Sequence, residues 1–177
     1  AGLLPRCQLL GLNWTRLSIA AVSRGEIALT IDDGPDPEVT PQVLEILDSY
    51  GVKASFFCIG ERAEAYPELC QEIVQRGHTV ENHTQHHWHY FSLLVSRQRI
   101  QTEIEAAQYS LTHITGIQPL FFRPTAGLRN FLLEPVLNRL GLQLASWTRR
   151  GYDTCEQDPA RVLAKLLNNL NAGDILL

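Results

Sequence analysis

Glu26-Ile27-Ala28-Leu29-Thr30-Ile31 runs directly into Asp32-Asp33-Gly34-Pro35-Asp36-Pro37. The first six residues read as a buried strand, and the glycine and prolines that follow force a loop. A helix is expected next. Thr40 can cap it, Pro41 suits its first turn, Val43, Leu44, Ile46 and Leu47 supply an apolar face, and Gly51 ends it. A second strand is expected from Ala54 to Ile59. Strand, loop, helix and strand in that order form a parallel βαβ unit, and such units carry their chemistry in the loops at the carboxyl ends of strands.

Downstream the unit recurs in kind. A helix around Pro67 to Gln75 is closed by Gly77, a short strand covers His78 to Glu81, and a polar, histidine-rich loop follows. Ile100, Ile104, Ala107 and Leu111 mark a helix over Ser96 to Thr115 that Gly116 ends. Then come a strand at Leu120 to Phe122, a helix from about Phe131 to Leu140, a strand at Gln143 to Thr148, a helix over Val162 to Asn171, and a strand beginning at Asp174. The fold class is α/β. Residues 1–25 read as an irregular lead-in to one domain over 26–177.

Composition narrows the functional classes. A chain of 177 residues, 45% of them hydrophobic, builds one ordinary core. A formal charge of −4 with scattered Lys and Arg offers no surface for a phosphate backbone, so nucleic acid is not an expected partner. Cys7, Cys58, Cys70 and Cys155 show no CxxC spacing and are expected as reduced thiols, Cys58 as a small buried hydrophobe. No apolar run reaches the length of a bilayer span and no secretory pattern opens the chain, so no transmembrane segment is expected and the expected location is cytoplasmic.

Four clusters in the expected strand-end loops carry reactive side chains. Asp32 and Asp33 would face opposite ways on a regular strand, but a break there lets both turn toward one pocket, one to bind a metal and one to act as base. Asn82-His83-Thr84-Gln85-His86-His87-Trp88-His89 holds four histidines, and the spacing of His83 and His87 fits one helical turn binding a metal. Phe122-Arg123-Pro124-Thr125-Ala126-Gly127 offers a guanidinium to position a carboxylate and a turn whose N–H groups could meet an oxyanion. Trp147 to Asp153 adds an aromatic wall and one more acid.

In order and spacing these clusters resemble the NodB-type polysaccharide deacetylases, carbohydrate esterase family 4, over about 150 residues from Ile27 to Leu177. The resemblance implies a distorted, incomplete (β/α) barrel and hydrolysis of the acetamide of an N-acetylated sugar. It implies Asp32 as general base, and Asp33, His83 and His87 as ligands of one divalent metal, zinc first, with cobalt, nickel or iron as alternatives. His86 and His89 fall outside that register. It further implies that Arg123 tethers Asp32, that Asp153 fixes Arg123, and that the N–H of Ala126 helps stabilise the oxyanion. Thr125, Gly127 and Trp147 are the expected substrate contacts. Ala126 stands where the family has an aromatic residue, and Arg150 and Thr154 stand where it has Asp and Trp. Gly173-Asp174-Ile175-Leu176-Leu177 resembles the run into a fifth motif whose histidine would follow the last residue, so a trimmed chain that binds metal but deacetylates poorly is expected.

Two other functions share the ligand set. Two imidazoles and a carboxylate also bind iron in non-haem oxygenases, and a catalytically silent glycan-binding module could retain the same site.

Overall fold

The computed structural model describes residues 15–88 and 95–177. Its centre is an all-parallel sheet of six strands: β1 (Ala28–Gly34), β2 (Ser55–Cys58), β3 (Thr79–Asn82), β4 (Phe121–Phe122), β5 (Gln143–Leu144) and β6 (Ile175–Leu176). The spatial order is β5-β4-β3-β2-β1-β6. Past β5 a single bridge, Arg149 to Leu176, brings the chain back to β6. The sheet is therefore a barrel joined across its last gap by one bridge, which agrees with the incomplete (β/α) barrel expected from the sequence.

The helices are α1 (Ile19–Ser23), α2 (Val39–Ser49), α3 (Gly60–Ala65), α4 (Pro67–Gln75), α5 (Arg97–Thr115), α6 (Leu133–Leu140) and α7 (Pro159–Leu167). Two cores lie beneath the sheet. Leu44, Phe56, Cys58, Cys70, Ile73, Val80 and Leu111 pack α2, α4 and part of α5 against β2 and β3. Ile100, Ile104, Phe122, Val136 and Leu144 pack α5 and α6 against β4 and β5. Each fully buried side chain of this kind contributes about 1.5–3 kcal/mol. Cys58 and Cys70 are buried free thiols and Cys155 an exposed one, while Cys7 lies outside the described residues.

Several expected boundaries shift, each for a local reason. Thr40 does not cap α2. Asp36 Oδ1 accepts from the N–H groups of Glu38 and Val39, both at 2.9 Å, and Thr40 Oγ1 accepts from Asp36 N–H at 2.8 Å, so the cap lies one turn earlier. The last helix begins at Pro159 because Asp158 Oδ1 accepts from Ala160 N–H at 2.9 Å. The strand expected over Gln143 to Thr148 is regular only at Gln143 and Leu144, with Ala145, whose N–H bonds to Phe122 O at 2.9 Å, adding one bridge. Within the expected irregular lead-in, α1 is helical, and Leu17 N–H bonds to Gly173 O at 2.9 Å, tying this segment to the base of β6. No helix among the described residues is long and apolar enough to cross a membrane.

Candidate active site

The two consecutive carboxylates share one cavity because β1 carries an extra residue. Asp32 pairs with Phe57 and Gly34 with Cys58, so Asp33 has no partner on β2. Asp33 takes φ 66°, in the left-handed region. Such a bulge redirects side chains that strict alternation would send to opposite faces. The strand expected to stop at Ile31 instead runs to Gly34 with this distortion inside it.

The histidine loop reaches the same point without a helix. Thr84 and His87 adopt φ 71° and 54°, and two side-chain bonds hold the resulting turns: Thr84 N–H to Asn82 Oδ1 and His87 N–H to Thr84 Oγ1, each 3.0 Å. Asn82 is itself fixed from behind, its Nδ2 donating to Ile104 O at 3.0 Å and Gln108 Oε1 at 2.9 Å on α5. The first N–H groups of α3, from Gly60 and Glu61, donate to Thr84 O and Gln85 O at 3.0 and 2.9 Å. Gly60 leaves room for the Gln85 side chain, since a Cβ would lie 2.0 Å from Gln85 Oε1 and force it to shift. The spacing of four thus unites His83 and His87, with ring centroids 4.9 Å apart, but through left-handed turns in place of the helical turn expected.

Asp33, His83 and His87 each present one ligand atom, all within 4.8 Å of one another. Asp33 Oδ1 is 3.2 Å from His83 Nε2 and 3.0 Å from His87 Nε2, yet it meets no donor in hydrogen-bonding geometry. His83 Nδ1 lies 2.6 Å from Arg123 O, and a carbonyl only accepts, so Nδ1 carries a proton. The nitrogen facing Asp33 is then the one free to take a second proton or a cation. An oxygen and imidazole nitrogens converging with no hydrogen bond to satisfy the oxygen fit a divalent metal such as zinc. Without metal, the His83 and His87 rings hold the Asp33 carboxyl far below the usual carboxylate range. Burial works against a charged His83 ring, but the Asp32 and Asp33 charges outweigh it and raise its pKa.

Arg123 is fully buried and ties the second carboxylate in place. Its Nη1 donates to Asp32 Oδ1 at 2.5 Å and to Thr30 Oγ1 at 2.9 Å, and Nη2 donates to Ser146 O at 3.0 Å. The guanidinium lies 4.0 Å from the Phe57 ring centroid. Asp153 does not fix it, contrary to expectation: Asp153 is exposed on the cavity wall and makes no ion pair with Arg123. A hydroxyl acceptor on β1 and a backbone acceptor in the segment after β5 do that work. Thr30 belongs to the run that resembles the family's first motif, though with no role implied for it, whereas Ser146 and Phe57 carry no motif signal and only their positions in buried strand-like runs draw attention to them.

Asp32, Asp33, His83 and His87 face a cavity of about 550 Å³ whose other walls include Ala126, Gly127, Trp147, Arg150 and Asp153. Ala126 sits at φ 53° in a tight turn. Gly127 N–H is bound to Pro124 O at 2.8 Å and Leu128 N–H to Thr125 O at 3.0 Å, and of the turn's other residues Ala126 is the one that lines the cavity. Thr125 is fully buried and is not among the residues that line the cavity. Trp147 is mostly buried but contributes to the wall. His86 points elsewhere: its Nδ1 meets Glu103 Oε1 at 2.8 Å and its ring stacks on Trp88. His89 lies outside the described residues.

A sequence profile described as polysaccharide deacetylase matches residues 20–145. A peptidoglycan-N-acetylglucosamine deacetylase of Bacillus cereus is 33% identical over 153 residues, covering 85% of this chain and 70% of that protein. The solved structure of peptidoglycan deacetylase PdaC from Bacillus subtilis superposes with a TM-score of 0.78 at 30% identity, over 86% of this chain and 73% of that one. A family 4 carbohydrate esterase pseudoenzyme from Bacillus anthracis has a TM-score of 0.85 at 22% identity, a likeness of fold alone. It covers 94% of this chain, which spans 57% of that longer protein.

Proposed function

Because this chain belongs to the polysaccharide deacetylase family, we propose that it hydrolyses the acetamide of N-acetylated sugars, releasing acetate and a free amine. One observation carries the proposal: Asp33, His83 and His87 converge within the same cavity as a carboxylate, Asp32, that is held by a buried guanidinium. A metal-binding module needs the first three groups only. A hydrolase needs the fourth as well.

Asp33 Oδ1, His83 Nε2 and His87 Nε2 are the atoms that would hold a divalent ion, zinc by donor type. When bound, such an ion lowers the pKa of a coordinated water and polarises the amide carbonyl. The remaining steps fall to the chain. Arg123 occupies Asp32 Oδ1, so Oδ2, which lies 3.9 Å from His83 Nε2, is the atom left to take the proton of the attacking water and to return it to the sugar nitrogen as the C–N bond breaks. The Ala126 N–H is the donor available to the developing oxyanion, a contribution of about 3 kcal/mol for a preorganised group. Trp147 and Gly127 bound the space in which the sugar must sit.

Acetate release from chitin oligosaccharides and peptidoglycan, with zinc, cobalt or nickel restored after chelation, tests the proposal. Metal-dependent release that Asp32→Asn removes without loss of bound metal is the expected result. Stoichiometric metal and tight glycan binding with no release from any acetylated sugar would instead make the chain a silent glycan-binding module.

A further inference from the structure

Arg150 stands on the wall of the same cavity as Asp32 and Asp33. Its guanidinium carbon lies 5.2 Å from the Trp147 ring centroid and 5.4 Å from that of Tyr152. Two aromatic faces thus orient it, yet among the described residues it has no ion pair. The other guanidinium beside Trp147, Arg123 at 5.8 Å, has its charge matched by Asp32. Of the remaining carboxylates on the wall, Asp33 is engaged with the two imidazoles, and Asp153 is exposed without bridging to Arg150. Tyr152 takes φ 60°, a conformation that costs a non-glycine residue energy and helps set the position of its ring beside Arg150. Gly151 lets this segment close on α7, since a Cβ there would lie 2.7 Å from Val162 Cγ1.

A half-buried cation that is oriented but unmatched is poorly explained as a structural prop. Cation–π contacts at partly exposed sites contribute only about 0.5–1 kcal/mol each, whereas a planar guanidinium presents paired donors suited to a carboxylate. We propose that Arg150 selects substrates carrying a carboxylate on or next to the N-acetylated sugar, so that the preferred glycan is anionic. The proposal rests on the deacetylase reading for the identity of the sugar, and on the cavity alone for the anion.

Two disaccharides of N-acetylglucosamine test it, one bearing a lactyl ether with a free carboxylate and the other the same ether as its uncharged amide. Calorimetry on the zinc-loaded protein should find the acid bound about 10- to 100-fold more tightly, the range expected for hydrogen bonds to a charged group. Arg150→Gln should bring the two within about twofold by weakening the acid alone, and Arg150→Lys should retain part of the preference. Rising salt should narrow the gap in the wild type only. Equal affinities, no binding of either sugar, or an Arg150→Gln variant that loses both alike would overturn the proposal. Acetate release from the same samples is scored separately. A preference for the acid without release would sink the hydrolase reading and leave the anion site standing, and release without preference would do the reverse.

Discussion

The cavity has two unlike walls. Along β1, β2 and β3 every reactive side chain is secured by buried neighbours: Asp33 by a strand bulge, His83 by Arg123 O, and the histidine loop by Asn82, Thr84 and the N-terminus of α3. Along β5, α7 and β6 the strands are two residues long, α7 buries no residue, and Tyr152, Asp153 and Thr154 are exposed. The difference assigns tasks. Asp33, Thr84 and His87 in the first wall take left-handed conformations that buried neighbours hold in place, whereas Tyr152 takes the same region on the second wall while exposed. The second wall has few interior contacts and can vary its side chains at little cost to stability, as suits a surface that chooses substrates.

The contrast would break if a change in the second wall did as much damage as one in the first. His87→Ala should therefore have the largest effect. Metal affinity, measured by chelator competition, should fall by more than the ten- to hundredfold typical of losing a supporting hydrogen bond, and acetate release should vanish with it. His86→Ala, which removes the Glu103 contact and the stack on Trp88, should change metal affinity by less than about tenfold. If His86→Ala proves the more damaging, the loop holds its metal through different nitrogens. Asp32→Asn comes next. Turnover should drop by about 10²–10⁴ with metal content unchanged, and loss of the metal as well would make Asp32 a ligand.

A smaller effect separates Arg123 from Asp153. Arg123→Met leaves Asp32 without its partner and should cost about 3 kcal/mol of stability in denaturant unfolding. Combined with Asp32→Asn, the loss should be clearly less than the sum of the two single changes. Combined with Asp153→Asn, it should be additive within about 0.5 kcal/mol, because the two side chains do not meet. Coupling between Arg123 and Asp153 would restore the arrangement that motif resemblance implied and would bind the two walls into one.

What could be read from sequence follows the same division. Asp32, Asp33, His83, His87 and Arg123 lie at the carboxyl ends of expected strands or in the loops that follow them, so their convergence was legible from the βαβ order. The means of convergence was not. Nothing in Asp32-Asp33-Gly34 distinguishes a strand that stops from one that bulges, because that depends on Phe57 and Cys58 across the sheet. Nor does a spacing of four distinguish a helical turn from two left-handed ones, which depend on Asn82 being pinned by α5. Helix α3 was missed because Gly60 at its start reads as a breaker until Gln85 is found packed against it. On the second wall Asp153 was assigned by motif position alone, and a two-residue strand gave too little register to test that assignment.

The finest distinction between the walls lies in how two buried acids respond to pH. Glu81 on β3 accepts from the N–H groups of Leu120 and Phe121 at 2.9 and 2.8 Å, but burial dominates and raises its pKa above the ordinary 4.5. A carboxyl whose folded pKa is raised binds protons more readily folded than unfolded, so it costs stability as pH rises from about 4.5 through the raised value. Asp174, at the start of the segment leading into β6, is buried too. There the Asn171 N–H at 3.0 Å and Arg149 Nε at 3.1 Å outweigh burial and lower its pKa below 3.8. Its stabilisation is complete above the unfolded value and is lost as pH falls through the folded one. Asp174→Asn should accordingly destabilise by about 1–3 kcal/mol at pH 7, as loss of hydrogen bonds to a charged group does, with the deficit shrinking below pH 4. Glu81→Gln keeps an acceptor for both N–H groups and removes the buried charge, so it should stabilise by up to about 1 kcal/mol at pH 7 and by nothing below pH 4. Denaturant midpoints from pH 3 to 8 measure both. Deficits of the same sign in the two variants would mean that Glu81 is held by its two N–H donors as firmly as Asp174 is by Asn171 and Arg149, and the electrostatic contrast between the walls would be lost.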